Sequence, residues 1–314
     1  MTDYRVLDLA ARRAQEFLAQ LPERPVGPPV DPQVLAESLG GPLPERGEDP
    51  ADVVEHLVRG ASAGLVASPG PRYFGFVIGG SLPATVAADW LTAAWDQNAA
   101  LFLSSPAAAV VEDVAGGWLK ELLGLPTEAS VGFVTGATMA NFTCLAAARH
   151  EVLRRAGWDV ESKGLQGAPR VNVIAGEEAH STLFASLRLL GLGDKTCTRV
   201  PADEQGRMRA PELAHVLRNV SGPTIVCAQA GNVNTGASDP FEAIAPLVRA
   251  KDAWLHVDGA FALWAAAVPA LRGQVAGVER ADSWALDAHK WLNVPYDCGL
   301  AFTAHAPAHR AALT

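Results

Sequence analysis

From about Tyr73 onward, short apolar runs alternate with stretches of helical period. The runs Val131–Val134, Asn172–Ala175, Cys197–Val200, Thr224–Ala228, Trp254–Val257, Ser283–Leu286 and Leu300–Thr303 read as seven strands. Helical patterns separate most of them: Ala137–Ala156, Ser181–Leu190, Ala210–Asn219 and Pro240–Ala250. Such alternation predicts an α/β unit around a largely parallel sheet. Ahead of it the pattern changes. Val6, Leu7, Leu9, Ala10, Ala14, Phe17 and Leu18 predict a helix, Leu21 to Pro44 is proline-rich and predicts an extended path, and Pro50–Ala63 predicts another helix. The expected division is a helical arm at 1–70 and a large domain at 71–314. The arm has too little apolar surface to fold alone, so it is expected to pack on the main body or on a second subunit.

Composition narrows the classes of function. Of 314 residues, 49% are hydrophobic and only 19% charged, which fits a well-packed globular chain. The net charge of -9 argues against a nucleic-acid partner, since phosphate binding needs a basic face. No charge-free apolar run is long enough to cross a bilayer, and the charged opening segment fits neither a signal peptide nor an anchor. The cysteines Cys144, Cys197, Cys227 and Cys298 are widely spaced and mostly lie in apolar stretches. Reduced, buried thiols and a cytoplasmic setting are therefore expected, with no metal site.

In an open α/β sheet, ligands sit beyond the carboxyl ends of the strands. Four polar groups stand there: Thr135-Gly136-Ala137-Thr138, His180, Asp258 and the pair His289-Lys290. A lysine such as Lys290, between Trp284 and Trp291, ordinarily snorkels or pairs, although burial also creates a nucleophilic amine suited to Schiff-base formation. A carboxylate at a strand end, as at Asp258, is commonly a cap, or it could bind a cofactor's ring nitrogen. The Thr135–Thr138 turn is an ordinary helix start or an anion site. His180 is a capping residue or a ring-stacking one. No Walker A loop, GxGxxG fingerprint or Gly-x-Ser-x-Gly elbow is present. Together the four groups match the needs of one cofactor, pyridoxal 5'-phosphate (PLP).

Ala288-His289-Lys290-Trp291 followed by Tyr296-Asp297-Cys298 resembles the cofactor-lysine segment of group II PLP-dependent amino-acid decarboxylases. Pro71–Phe76, Ser105-Pro106-Ala107 with Trp118-Leu119, Ala179-His180-Ser181 and His256–Ala260 resemble further family segments in the same order. The resemblance runs from about residue 70 to 305. It implies a fold-type-I PLP-dependent transferase large domain with a mainly parallel seven-stranded sheet, an N-terminal helical arm wrapped on a partner, and a homodimer with interfacial active sites. It implies that Lys290 holds PLP and relays protons, that Asp258 pairs with the pyridine nitrogen, and that Ala260 lies beneath the ring with His180 above. Ala137, Thr138 and His289 would bind phosphate, and Phe102 and Leu103 would reach the neighbouring site. The implied reaction is decarboxylation of an L-amino acid to its amine. The alternatives are another carbon–carbon lyase or an aldehyde-forming reaction on the same scaffold, or a truncated, inactive dimerising paralogue.

Three features depart from the pattern. Asp287 stands where relatives often have asparagine, and a carboxylate there would repel phosphate, so its role stays open. Gly231-Asn232-Val233-Asn234 replaces a Gly-Thr-Thr segment near the substrate. The sequence also stops at Thr314, soon after the seventh strand, so a mobile catalytic loop and a C-terminal small domain are expected to be absent. The terminal segment His305–Arg310 is expected to form a short helix with little to pack against. Tyr73, Phe74 and Phe76 are compatible with an aromatic substrate, which the sequence does not otherwise identify.

Overall fold

The computed structural model describes residues 4–27 and 30–313; residues 1–3, the 28–29 part of the proline-rich stretch, and 314 lie outside the described residues. The chain divides into two compact units, Met1–Gly80 and Ser81–Thr314. In the first unit, α1 (Arg5–Gln20), α2 (Pro32–Leu39) and α3 (Pro50–Ala61) follow one another. The second helix lies inside the stretch expected to be extended. Pro32 acts as a helix starter rather than a breaker: it occupies the first turn, where no N–H is needed, and the Asp31 side chain accepts from Gln33 N at 2.8 Å. Asp49 and Pro50 start α3 in the same way, with Ala51 N donating to Asp49 at 2.8 Å. Arg13 on α1 pairs with Glu55 on α3 at 2.6 Å. None of the three helices has a buried residue.

The second unit opens with α4 (Pro83–Trp95) and α5 (Pro106–Leu123). It continues with β1 (Ser130–Val134), α6 (Ala137–Arg155), α7 (Val160–Lys163), β2 (Asn172–Gly176), α8 (Ser181–Leu189), β3 (Thr198–Val200), α9 (Ala210–Arg218), β4 (Thr224–Gln229), α10 (Phe241–Arg249) and β5 (Trp254–Asp258). Next come β6 (Ser283–Asp287), β7 (Gly299–Thr303) and α11 (Ala306–Leu313). The seven strands form one sheet in the order β1-β7-β6-β5-β4-β2-β3. Only β7 runs against its neighbours, pairing antiparallel with both β1 and β6. The mainly parallel seven-stranded architecture expected from the sequence is therefore present.

Both faces of the sheet are covered, which is why the central strands read as continuous apolar runs. Alternation sends successive side chains to opposite sides. On β4, Val226 and Ala228 join the core formed with α9, α10 and the 262–267 turn, whereas Ile225 and Cys227 join the core formed with α6 and α8. On β5, Leu255 and Val257 face the first core and Trp254 the second. His256 and Asp258 follow Trp254 at two-residue steps and therefore share its side. The expectation for the terminal helix is overturned. Ala308 and His309 of α11 are buried; Ala308 packs with α6 and α8, and His309 Nδ1 lies 2.8 Å from Ser130 Oγ.

Candidate active site

The loops beyond β1, β2, β5 and β6 bring the sequence candidates together at one end of the sheet. Gly136 links β1 to α6, and its backbone abuts the start of β7: a Cβ at Gly299 would lie 2.5 Å from Gly136 Cα. That close approach presses the first turn of α6 onto the end of β6. There the Asp287 carboxylate accepts from Ala137 N at 2.5 Å, and it also sits 3.3 Å from His289 Nε2 and 3.0 Å from Lys290 Nζ. The Asp287 side chain is 4% exposed and that of Lys290 21%. The residue whose role the sequence left open is thus the hub of this corner. It ties the lysine, the histidine and the helix N-terminus together.

His289 is fixed on three sides. Its Nδ1 accepts from Cys298 N at 3.2 Å, which leaves Nε2 to face Asp287, and its ring stacks on Tyr296 with centroids 4.2 Å apart. Burial is the main reason its pKa is lowered; the Asp287 carboxylate opposes this. Lys290 Nζ also lies 5.9 Å from the centre of the Phe261 ring. An α-helix leaves its first N–H groups without intrahelical acceptors, so the N–H groups of Thr138 and Met139 continue the anion-binding character of the α6 start.

Asp258 ends β5 and is buried. Its Oδ1 accepts from Ala260 N at 3.2 Å and its Oδ2 from Asn141 Nδ2 at 3.0 Å. Burial raises its pKa, against which the bonds from Asn141 and Ala260 and the positive potential of His180 and Lys290 act. His180 caps α8, with Nδ1 2.8 Å from Thr182 Oγ1. It lines one small void of about 10 Å³ together with Asp258, Cys227 and Gln229. The expected His180, Asp258, Ala260, Ala137, Thr138, His289 and Lys290 therefore all stand at strand ends, in the turns after them or at the first turn of a following helix, at this end of the sheet.

Sequence reasoning missed Asn141 and His256. Asn141 lies four residues after Ala137 on α6, one turn deeper, and its Oδ1 is 2.8 Å from His256 Nε2. The segment around Val233 is also clearer. Asn232 is buried; its amide donates to Glu178 Oε2 at 2.8 Å and accepts from Asn234 N at 2.9 Å. It holds the loop, while Val233 is 47% exposed. Among the described residues no group of three metal-ligating side chains is assembled, and no helix is long and apolar enough to cross a membrane.

A family model described as the pyridoxal-dependent decarboxylase conserved domain matches residues 32–306. The chain is 30% identical over 300 residues to an aromatic-L-amino-acid decarboxylase of Bacillus atrophaeus, covering 94% of this chain and 59% of the relative. It is 28% identical over 286 residues to a phenylacetaldehyde synthase of a Rosa hybrid cultivar, covering 87% of this chain and 52% of the relative. Among solved structures, Oryza sativa TDC with PLP and tryptamine superposes with a TM-score of 0.89 at 26% identity, covering 99% of this chain and 66% of that one. The chain thus spans less than two thirds of the length of these proteins.

Proposed function

This chain belongs to the pyridoxal-dependent decarboxylase family, and from that premise we propose that it releases the α-carboxylate of an L-amino acid as carbon dioxide, leaving the amine. Its cofactor is pyridoxal 5'-phosphate. The observation that carries the proposal is the meeting of a half-buried lysine amine, a buried carboxylate and a helix N-terminus at one sheet end. This donor set fits an aromatic aldehyde that bears a ring nitrogen at one end and a phosphate at the other. When bound, the cofactor supplies a cationic ring that accepts the electron pair of the broken bond.

The chain's own residues divide the remaining work. Lys290 Nζ would hold the cofactor's aldehyde carbon and, once displaced by the substrate amine, carry a proton beside Cα. Asp258 would hold a proton on the ring nitrogen, since its two bonds from Asn141 and Ala260 favour the charged carboxylate. His180 would cover one ring face and Ala260 the other. The first-turn N–H groups of Ala137 and Thr138 would bind the phosphate, with His289 beside them. Asp287 already occupies the Ala137 N–H, and this carboxylate opposes the phosphate.

The exposed apolar side chains Trp90, Leu91 and Trp95 on α4, with Val110, Val111 and Trp118 on α5, support a homodimer. The four free thiols support a reducing, cytoplasmic setting. A helical arm at 1–70 and a cofactor-binding domain at 71–314 complete the proposed organisation. The aldehyde synthase relative supports a second reading, in which the same scaffold forms an aldehyde. Protein incubated with PLP and reduced with borohydride is expected to carry the label on the Lys290 peptide. Protein loaded with PLP and left unreduced is expected to release carbon dioxide and amine from aromatic amino acids. Labelling elsewhere would overturn the site, and aldehyde with ammonia in place of amine would favour the second reading.

A further inference from the structure

The strand β5 reads Trp254-Leu255-His256-Val257-Asp258, and its alternation puts an indole, an imidazole and a carboxylate in line on the side facing α6. Four hydrogen bonds join them through two residues from other elements. Trp254 Nε1 lies 2.9 Å from Ser283 Oγ, and Ser283 Oγ lies 2.9 Å from His256 Nδ1. His256 Nε2 lies 2.8 Å from Asn141 Oδ1, and Asn141 Nδ2 lies 3.0 Å from Asp258 Oδ2. Ser283 is in place because β6 pairs in register with His256 opposite Ser283. Asn141 is in place because it sits one turn below Ala137 on α6. Trp254, Ser283, His256 and Asn141 are each 0% exposed.

The chain has one direction, set at its carboxylate end. The Asp258 carboxylate accepts from Asn141 Nδ2, so Asn141 Oδ1 faces His256 Nε2, and Ser283 Oγ, which accepts from the indole N–H, turns its own proton to His256 Nδ1. A neutral imidazole that accepts at Nδ1 carries its proton on Nε2, which donates to Asn141 Oδ1. The amide is thereby held with its NH₂ group facing Asp258. Full burial opposes a charge on this histidine and lowers its pKa to about 3, so the neutral form is the one present near neutrality. The reverse direction would present an amide oxygen to the buried carboxylate, two acceptors with no proton between them, at a cost.

We propose that Asn141, His256, Ser283 and Trp254 are positioning residues that hold Asp258 as an oriented, hydrogen-bond-accepting carboxylate and so set the protonation of the cofactor's ring nitrogen. This rests on the reading that Asp258 meets that nitrogen. None of the four touches the reacting atoms; they act through the carboxylate. Asp258 spends Oδ2 on Asn141 and Oδ1 on Ala260, and these two bonds fix the plane in which its remaining lone pairs point.

The test is nitrogen NMR of the 314-residue chain reconstituted with PLP labelled with ¹⁵N in the ring. The native protein is expected to show a protonated ring nitrogen, and Asp258→Asn an unprotonated one. Loss of the charge-assisted bond to Asp258 lowers the ratio of protonated to unprotonated ring about tenfold in Asn141→Leu, and His256→Phe, which leaves the Asn141 amide unsteered, lowers it in the same direction by a smaller factor. Ser283→Ala is expected to lie between these and the native protein, because the imidazole is then free to take either tautomer. His256→Gln, whose amide can still donate to Asn141, is expected to recover most of the native ratio. An unchanged ring in Asp258→Asn would overturn the underlying reading. A changed ring there, with a native ratio in folded His256→Phe, would overturn the relay alone. A second measurement needs neither variant nor cofactor: in the chain with ¹⁵N-histidine, His256 is expected to carry its proton on Nε2 at pH 7. A proton on Nδ1 would overturn the direction of the relay.

Discussion

Asp287→Asn is expected to tighten PLP binding by removing a charge from the phosphate end of the site. In the structure one carboxylate holds Ala137 N–H, the leading donor of α6, and also pairs with Lys290 at 3.0 Å. A phosphate arriving at this helix start meets both an occupied donor and a like charge. At an effective dielectric constant of about 20, two unit charges 4 Å apart interact by about 4 kcal/mol, which sets a ceiling. The neighbouring Lys290 cation cancels much of that, leaving a net penalty on the order of 1–2 kcal/mol, or about tenfold in affinity. Asparagine keeps an oxygen for Ala137 N–H and loses the charge. Because the substitution also frees Lys290, it alters the reaction of the amine with any aldehyde, so the assay compares two ligands. PLP and pyridoxal, which lacks the phosphate, are titrated by visible absorbance against both proteins. The ratio of the two dissociation constants isolates the phosphate, and it is expected to shift about tenfold toward PLP in the variant. A ratio that stays at the native value, or moves toward pyridoxal, would refute the argument that Asp287 opposes phosphate.

Asp258→Asn is expected to retain the fold and some cofactor while losing several powers of ten in turnover, each pKa unit being worth about 1.4 kcal/mol; turnover within tenfold of native would defeat the assignment. Gly299→Ala would bring a Cβ within 2.7 Å of Gly136 backbone atoms, which cannot yield as side chains do. Urea unfolding should show a loss of about 1–3 kcal/mol together with weaker PLP binding. Ala308→Asp would place a charge at a 3% exposed position of α11, and a loss of about 3 kcal/mol or more is expected; a neutral result would mean that the helix frays. His256 has its folded pKa depressed from 6.5 to about 3 by burial, so only the unfolded chain takes up its proton between those values. Its contribution is complete above pH 6.5 and is lost as the pH falls toward 3, at up to about 1.4 kcal/mol per pH unit. Unfolding midpoints measured from pH 7 to pH 4 should therefore fall less steeply in His256→Gln, and parallel slopes would contradict this.

The inner strands were legible because both of their faces are buried, and burial leaves uninterrupted apolar runs; the ends of all seven runs differ from the observed ones by a residue. The residues after those runs were legible for a related reason, since a polar group directly following a buried strand stands out. What escaped were contacts made across the sequence. Asn141 looks like one more residue of a helix whose apolar positions dominate, and only its distance to Asp258 gives it meaning. A hint existed for His256, which lies between Trp254 and Asp258 at two-residue steps. Its partner Ser283 depends on the register between β5 and β6, which no local pattern carries. The prolines of 21–44 misled because the same residue that breaks a helix interior opens a helix at its first turn, as Pro32 does after Asp31. The terminal helix misled because its burial comes from α6 and α8, far away in the chain.

These placements make α6 the element on which both ends of the cofactor site depend. Ala137 and Asn141 are four residues apart, or about 6 Å along the helix axis. In the proposed site the first would lie at the phosphate end, its N–H held by Asp287, and the second would steer Asp258 at the ring-nitrogen end. Both are carried by one helix whose start is pressed against β7 at Gly136 and Gly299. A shift of that helix would therefore disturb anion binding and carboxylate orientation together, whereas a change at Asp287, the last residue of β6, or at Lys290, in the turn after it, would act on the phosphate and aldehyde ends and leave the relay intact. The two groups of substitutions should accordingly separate in the ring-nitrogen spectrum. Asp287→Asn changes the PLP-to-pyridoxal ratio with a native ring signal, and Asn141→Leu changes the ring signal with a near-native ratio. Gly299→Ala changes both, because only there does one displacement reach the two ends at once.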